Sequence, residues 1–321
     1  MSGREGHATL RGSPPVKRRR IKDVAASIRQ RLLQEAQTSK RPFNELLQYF
    51  AMERFLYRLS SSQHSSAFVL KGALMMTAWR VAVTRPTKDI DLLGQVANEV
   101  ERVVAMIKDV CTQEVEADGL EFDPDSAQGE RITEEAEYEG VRVRFRASLG
   151  TARVSMQVDV GFGDAVIPKP VLADYPVILE LPAPRLRGYT RESSIAEKFH
   201  TMARRGLLNS RMRNYFDIWV LSRQFDFQGK VLAKAIGETF VRRGLAVPSS
   251  PVALTKEFAE DASKAAQWKG FLRKTKLEHA PQDLVEVVEA LADFLGPVAA
   301  ALGKGQKFDL QWMAPGPWSS S

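Results

Sequence analysis

Residues 85–94 read RPTKDIDLLG, which sets Asp89 and Asp91 two positions apart, behind a threonine and ahead of an aliphatic run. Side chains alternate faces in an extended segment, so the two carboxylates project the same way, about 6.6 Å apart along the strand. Ile90 and Leu92 then point to the opposite face. Like charges held that close repel by roughly 1–4 kcal/mol in partly screened surroundings. The arrangement suits either a solvated turn or a divalent cation. Mg²⁺ takes one or two protein carboxylates and completes its octahedron with water and substrate phosphate oxygens, so phosphoryl chemistry on a nucleotide is the candidate reaction. A third aspartate, Asp159, follows Ser155 and Gln157 on the polar face of ARVSMQVDVGFG (152–163), with Val154, Met156, Val158 and Val160 on the other. It is expected to act as a further ligand or as the base that takes a proton from an attacking hydroxyl.

The elements around these residues are readable from period and punctuation. AFVLKG (67–72) is a short β-rich run ended by glycine, ALMMTAW (73–79) favours helix, and DIDLL is strand. Backbone N–H groups after Gly72, opening a helix, can cradle phosphates. Upstream, IKDVAASIRQRLLQEAQ and NELLQYFAMERFLYRL (44–59) have helical periods and form a two-helix lead-in. NEVERVVAMIKDVC (98–111) is an amphipathic helix, and VRVRFRASLG (141–150) alternates Val141, Val143 and Phe145 with Arg142, Arg144 and Arg146.

The proline-rich stretch 167–189 reads as an irregular connector and domain boundary, beyond which helical patterns run to about residue 303. The expected organisation is a disordered basic tail (1–20), a first domain with its helical lead-in (21–189), a helical domain (190–305) and a flexible tail (306–321) ending MAPGPWSSS.

Composition narrows the classes. The 321 residues carry 46 Lys and Arg against 39 Asp and Glu, a net +7 that favours a polyanionic partner such as nucleic acid. Much of the excess is at the front, where residues 1–41 hold eleven basic against three acidic side chains. Arg142, Arg144 and Arg146, with Arg242, Arg243, Lys269, Arg273 and Lys274, are candidates for tracking an RNA backbone. A single cysteine, Cys111, excludes an internal disulfide framework and suits a reducing compartment. The four histidines have no metal-ligand spacing, which argues against zinc. The apolar run 284–303 carries Glu286, Glu289 and Asp293 and reads as a surface helix, not a membrane span. No secretory signal is read at the front, so a cytoplasmic location is expected.

FVLKGALMMTAW together with RPTKDIDLLG closely resembles the AbiEii/AbiGii toxin family of nucleotidyltransferases, whose pattern is a strand ending Lys-Gly-Gly/Ala followed by Arg-x-Ser/Thr-x-Asp-x-Asp. SIAEKFHTMARRG and NSRMRNYFDIW resemble that family's later motifs, over about residues 21–275. The resemblance implies an α/β (α+β) fold: a polymerase-β-like mixed-sheet lobe and a C-terminal helical lobe. It further implies that Asp89 and Asp91 bind Mg²⁺, that Lys198 holds the triphosphate of an NTP, and that Asp217 is a catalytic cleft residue. Lys71, Gly72, Ala73, Arg85 and Thr87 fall in the NTP-binding segments of the same motifs. Two departures stand out: Ala73 replaces the serine of wider nucleotidyltransferases, leaving only backbone donors, and Asn214 stands where relatives often have Asp.

Lys198 also has an argument of its own. Ile195, Phe199 and Met202 form an apolar stripe at i, i+4 and i+7, and Lys198 lies beside it at a core margin, where a lysine can snorkel as well as bind phosphate.

The resulting expectation is a monomeric bacterial toxin of a toxin–antitoxin or phage-defence system. It would move a nucleoside monophosphate from NTP to RNA, at the 3′ end of tRNA, and would have a cognate antitoxin partner. The alternatives are a transferase that nucleotidylates protein and a non-catalytic basic RNA-binding module.

Overall fold

The computed structural model describes residues 21–134, 138–277 and 279–320. The expected basic tail, residues 1–20, lies outside the described residues.

Helices α1 (Ile21–Ser39) and α2 (Phe43–Ser61) lead into strand β1 (Phe68–Lys71), short helix α3 (Ala73–Ala78) and β2 (Asp89–Gly94). Then come α4 (Val100–Thr112), β3 (Leu120–Glu134), β4 (Tyr138–Leu149), β5 (Ala152–Phe162), β6 (Val171–Asp174) and β7 (Arg185–Gly188). These seven strands form one mixed sheet in the order β3-β4-β5-β2-β1-β7-β6. Strand β2 is central, antiparallel to β1 and parallel to β5. The sheet forms because its strands alternate: Val141, Val143, Phe145 and Ala147 of β4 and Val154, Met156, Val158 and Val160 of β5 are all buried in the first core, packed with Phe55 and Leu56 of α2 and Ile107 of α4.

The second lobe contains α5 (Arg191–Arg205), α6 (Met212–Gln224), β8 (Phe227–Gln228), α7 (Gly229–Arg242), α8 (Lys256–Glu260), α9 (Ala262–Thr275), α10 (Leu284–Gly303), β9 (Gln311–Trp312) and β10 (Trp318–Ser319). It has a separate core. The chain enters it at Thr190, whose hydroxyl caps α5 by accepting from Ser193 N.

Two expectations are corrected. The 167–189 stretch is not merely an irregular connector, since β6 and β7 extend the sheet and β7 runs parallel to β1 through Leu70 and Gly188. Helix α10 is the expected surface helix, with Leu284, Val287, Val288, Leu291, Phe294, Leu295 and Val298 buried and Glu286, Glu289 and Asp293 on its exposed face. The C-terminal tail is not loose. Trp312 Nε1 donates to Ser222 O at 2.7 Å, and Trp318 Nε1 donates to Phe294 O at 2.8 Å while its ring stacks on Phe294. Two packed indoles with satisfied N–H groups outweigh the Gly/Pro/Ser composition around them. No described helix is long and apolar enough to cross a membrane.

Candidate functional site

The two lobes enclose a polar cavity of about 500 Å³. Its floor is the sheet, and register fixes the order of side chains across it. Asp91 of β2 pairs with Asp159 of β5, and Asp159 pairs in turn with Arg142 of β4. On the other side of β2, Asp91 pairs with Lys71 at the end of β1. The floor therefore runs from Ile132 and Thr133 of β3, through Arg142, Asp159 and the Asp89–Asp91 pair, to Lys71 and Gly72. Ile90 and Leu92 are fully buried beneath it, as the strand period requires.

Gly72 is dictated by its neighbour. Its φ is +71°, and a Cβ built there would lie 1.9 Å from Asp91 Oδ2. Only glycine lets the carboxylate rest against the turn, and it also adopts this φ without steric cost.

The floor carries more negative than positive charge near its centre. Burial raises the Asp89 carboxyl above its ordinary value and Asp159 pushes the same way, against the opposing fields of Arg142, Arg213 and Arg85. Asp159 is itself held by a two-pronged pair, accepting from Arg142 Nε at 2.8 Å and Nη2 at 2.6 Å, and also from Gln157 Nε2 at 3.3 Å. Thr87 lines the cavity edge and is positioned through its backbone, which donates to Tyr49 Oη at 3.0 Å.

The roof comes from the helical lobe, with Ser194, Glu197, Lys198 and Thr201 of α5 and Arg211, Arg213, Asn214 and Arg243 beyond it. Asp217 does not reach the cavity, contrary to its expected place in the cleft. It is fully buried below, where Lys198 Nζ approaches Oδ2 at 3.0 Å and Arg85 donates to both oxygens at 3.1 and 3.3 Å. Burial alone would raise its carboxyl, but Arg85 and Lys198 outweigh it and hold the group below its ordinary value. Asp217 thus fixes two cations that do line the cavity. Asn214, an uncharged isostere of the Asp that relatives often carry there, lines the cavity.

A second buried ion group closes the Lys71 end. Arg243 Nη2 lies 2.7 Å from Asp164 Oδ1, Lys71 Nζ lies 3.4 Å from Asp164 Oδ2 and 4.0 Å from Glu197, and Tyr189 Oη donates to Glu197 Oε1 at 2.7 Å. Burial opposes ionisation of Asp164, yet Lys71 and Arg243 hold it down to about 2. Glu197 is raised to about 7 by burial and by Asp164.

Of the residues expected to contact NTP, Lys71, Gly72, Arg85, Thr87 and Lys198 line the cavity, whereas Ala73 is buried behind it. Of the basic residues expected to track RNA, Arg142, Arg144 and Arg146 each pair with a carboxylate, Asp159, Glu130 and Asp123 respectively, and of these only the Arg142 pair lines the cavity. Arg243 is buried in the ion group. Asp164, Tyr189, Glu197, Arg211 and Arg213 were not foreseen as site residues. One signal for the roof is in the sequence: Ser194, Glu197, Lys198 and Thr201 recur at i, i+3, i+4 and i+7, a polar helical face beside the apolar stripe.

The fold and cavity define a class: a two-lobed α/β protein with paired strand aspartates facing a cation-lined space of about 500 Å³. The family model for the nucleotidyl transferase AbiEii toxin of type IV toxin–antitoxin systems matches residues 54–293, a span containing every cavity-lining residue, and the chain belongs to this family. Among solved structures, it is similar to MenT4, a nucleotidyltransferase toxin of Mycobacterium tuberculosis, with 17% identity over 87% of this chain and 98% of that one (TM-score 0.48). JHP933 from Helicobacter pylori matches at 14% identity over 81% of this chain and 92% of that one (TM-score 0.44). No curated protein compared with it matches.

Proposed function

We propose that the protein transfers a nucleoside monophosphate from an NTP to a hydroxyl of RNA, the 3′ end of tRNA, as the Mg²⁺-dependent toxin of a pair with a cognate antitoxin. The observation that carries this reading is the Asp89–Asp91 pair on one strand face, beside Lys71 on the floor and sharing one cavity with Lys198 and Arg85. Among the described residues no three His, Cys, Asp or Glu side chains converge as a complete metal cage. Two carboxylates are nevertheless the protein share that Mg²⁺ takes, and Asp89, raised first by burial and then by the neighbouring Asp159, is a carboxylate that a bound cation would favour in its charged form. Asp89 and Asp91 would hold the ion, which when bound polarises the phosphate and neutralises developing charge.

The chain's own groups supply the rest. Lys198 and Arg85, fixed by Asp217, and Lys71, fixed by Asp164, present positive charge to the triphosphate. The acceptor oxygen forms a bond to the α-phosphorus, the bond to the bridging oxygen breaks, and pyrophosphate leaves. The hydroxyl proton passes to a carboxylate of the floor. Incubation with α-³²P-labelled NTPs, Mg²⁺ and either total tRNA or total protein tests the reading. Label on tRNA that disappears with EDTA is expected. Label on protein alone, or none, overturns it.

A further inference from the structure

The cavity floor has two cationic flanks with the carboxylates between them. Lys71 and the Gly72 turn form one flank, and Arg142 forms the other. If the triphosphate takes the Lys71 flank, as in the function proposed above, the acceptor must approach across β3 and β4, over Ile132, Thr133 and Arg142. Arg142 differs from the other two arginines of its row. The pairs of Arg144 with Glu130 and Arg146 with Asp123 are exposed on both sides, at 53%/51% and 69%/42% of side-chain surface, whereas Arg142 is 28% exposed against an Asp159 that is 9% exposed. Exposed pairs of that kind fix little. The Arg142 pair is two-pronged and backed by Gln157, so it holds a planar guanidinium in one orientation at the cavity wall.

Only Nε and Nη2 of Arg142 are engaged with Asp159, so the N–H groups of Nη1 remain for a ligand. The Asp159 oxygens already accept three N–H groups, which leaves this carboxylate poorly placed to take a hydroxyl proton while the pair is closed. We infer that Arg142 binds a backbone phosphate of the RNA acceptor next to its reactive end, and that Asp159 is a positioning residue for Arg142 rather than the proton acceptor. This rests on the NTP-to-RNA reading above.

The test is steady-state transfer of labelled NMP to total tRNA, varying tRNA and NTP separately. Arg142→Ala is expected to raise the KM for tRNA at least 10-fold with the KM for NTP changed less than about 2-fold, and to flatten the salt dependence of tRNA binding by about one phosphate contact. Arg142→Lys, which keeps charge but not the fork, should recover part of that affinity. Asp159→Asn should reproduce the rise in tRNA KM with maximal turnover within about 10-fold of wild type, and the double variant should be no worse than Arg142→Ala alone. Arg146→Ala, on the same face but away from the cavity, should change tRNA KM less than about 2-fold.

A loss of maximal turnover of about 100-fold or more in Asp159→Asn, at unchanged tRNA KM, would make Asp159 the base or a ligand and overturn the inference. So would an unchanged tRNA KM in Arg142→Ala. If the wild-type protein itself labels protein or nothing, it is the NTP-to-RNA reading that fails, and the inference with it, whereas a wild type that labels tRNA isolates the result to Arg142.

Discussion

The floor and the roof of the cavity handle charge in opposite ways. On the floor, Asp89, Asp91 and Asp159 crowd three aspartates onto two adjacent strands, with Arg142 as a paired cation beside them. In the roof and its supports, each buried carboxylate sits between two cations: Asp217 between Lys198 and Arg85, and Asp164 between Lys71 and Arg243. Asp89, half-buried beside Asp159, carries repulsion that a bound cation would relieve, while carboxylates set between two cations serve to hold their partners still. The contrast predicts that floor substitutions affect chemistry and spare the fold, and that support substitutions affect both.

The sharpest test is at the floor. Asp89→Asn or Asp91→Asn removes a like-charge neighbour and should leave the unfolding midpoint unchanged or slightly raised in EDTA. NMP transfer should fall by at least about 10³-fold, roughly 4 kcal/mol of barrier. Turnover near wild type at saturating Mg²⁺ would break the assignment of these residues to the metal.

The support side gives the next largest effect. Asp217→Asn leaves Lys198 and Arg85 facing a neutral amide in a fully buried position, and should cost roughly 3 kcal/mol of stability in urea unfolding as well as most of the activity. A loss under about 1 kcal/mol would show that the two cations hold their places without it. Gly72→Ala comes third. The added methyl meets Asp91 Oδ2 at a φ of +71° and a ψ of −151°, a backbone region essentially reserved for glycine, with a strain of about 1–3 kcal/mol for an L residue. Displacing the carboxylate by about 1 Å should cost about 10²-fold in transfer. Full activity would mean that Asp91 does not act from where it rests.

The floor was legible in the sequence and the supports largely were not, for a physical reason. A strand period of two says which residues share a face, so Asp89 and Asp91 over Ile90 and Leu92, and Asp159 opposite Val158 and Val160, follow from local pattern alone. Pairing Asp164 with Lys71 and Arg243, or Asp217 with Arg85, needs the packing of residues that lie 93, 79 and 132 positions apart. No local period encodes that. The same gap explains the tail, where Trp312 and Trp318 find their carbonyl partners on α6 and α10, and the proline-rich stretch, whose four-residue strands are too short to show alternation.

The smallest predicted effect separates the two halves of the support group by pH. Glu197 has a folded value of about 7 against an ordinary 4.5. Between those values the native protein keeps a proton that the unfolded chain has lost, so stability falls as pH rises through that window. Asp164 works the other way, its value of about 2 adding stability above 3.8 that is lost only as pH falls below it. Glu53, also raised to about 7 by burial in α2, adds a second falling contribution in the Glu197 window. Wild-type melting temperature should therefore decline from about pH 5 to about pH 7.5, and Glu197→Gln, which stays neutral and can still bond Tyr189, should flatten part of that decline by on the order of 1 kcal/mol. The part that remains should vanish in Glu53→Gln. An unchanged slope in Glu197→Gln would mean that Glu197 is ionised throughout, balanced by Lys71 and Arg243 as Asp164 is. The support group would then carry no proton of its own, and the contrast with the floor would be complete.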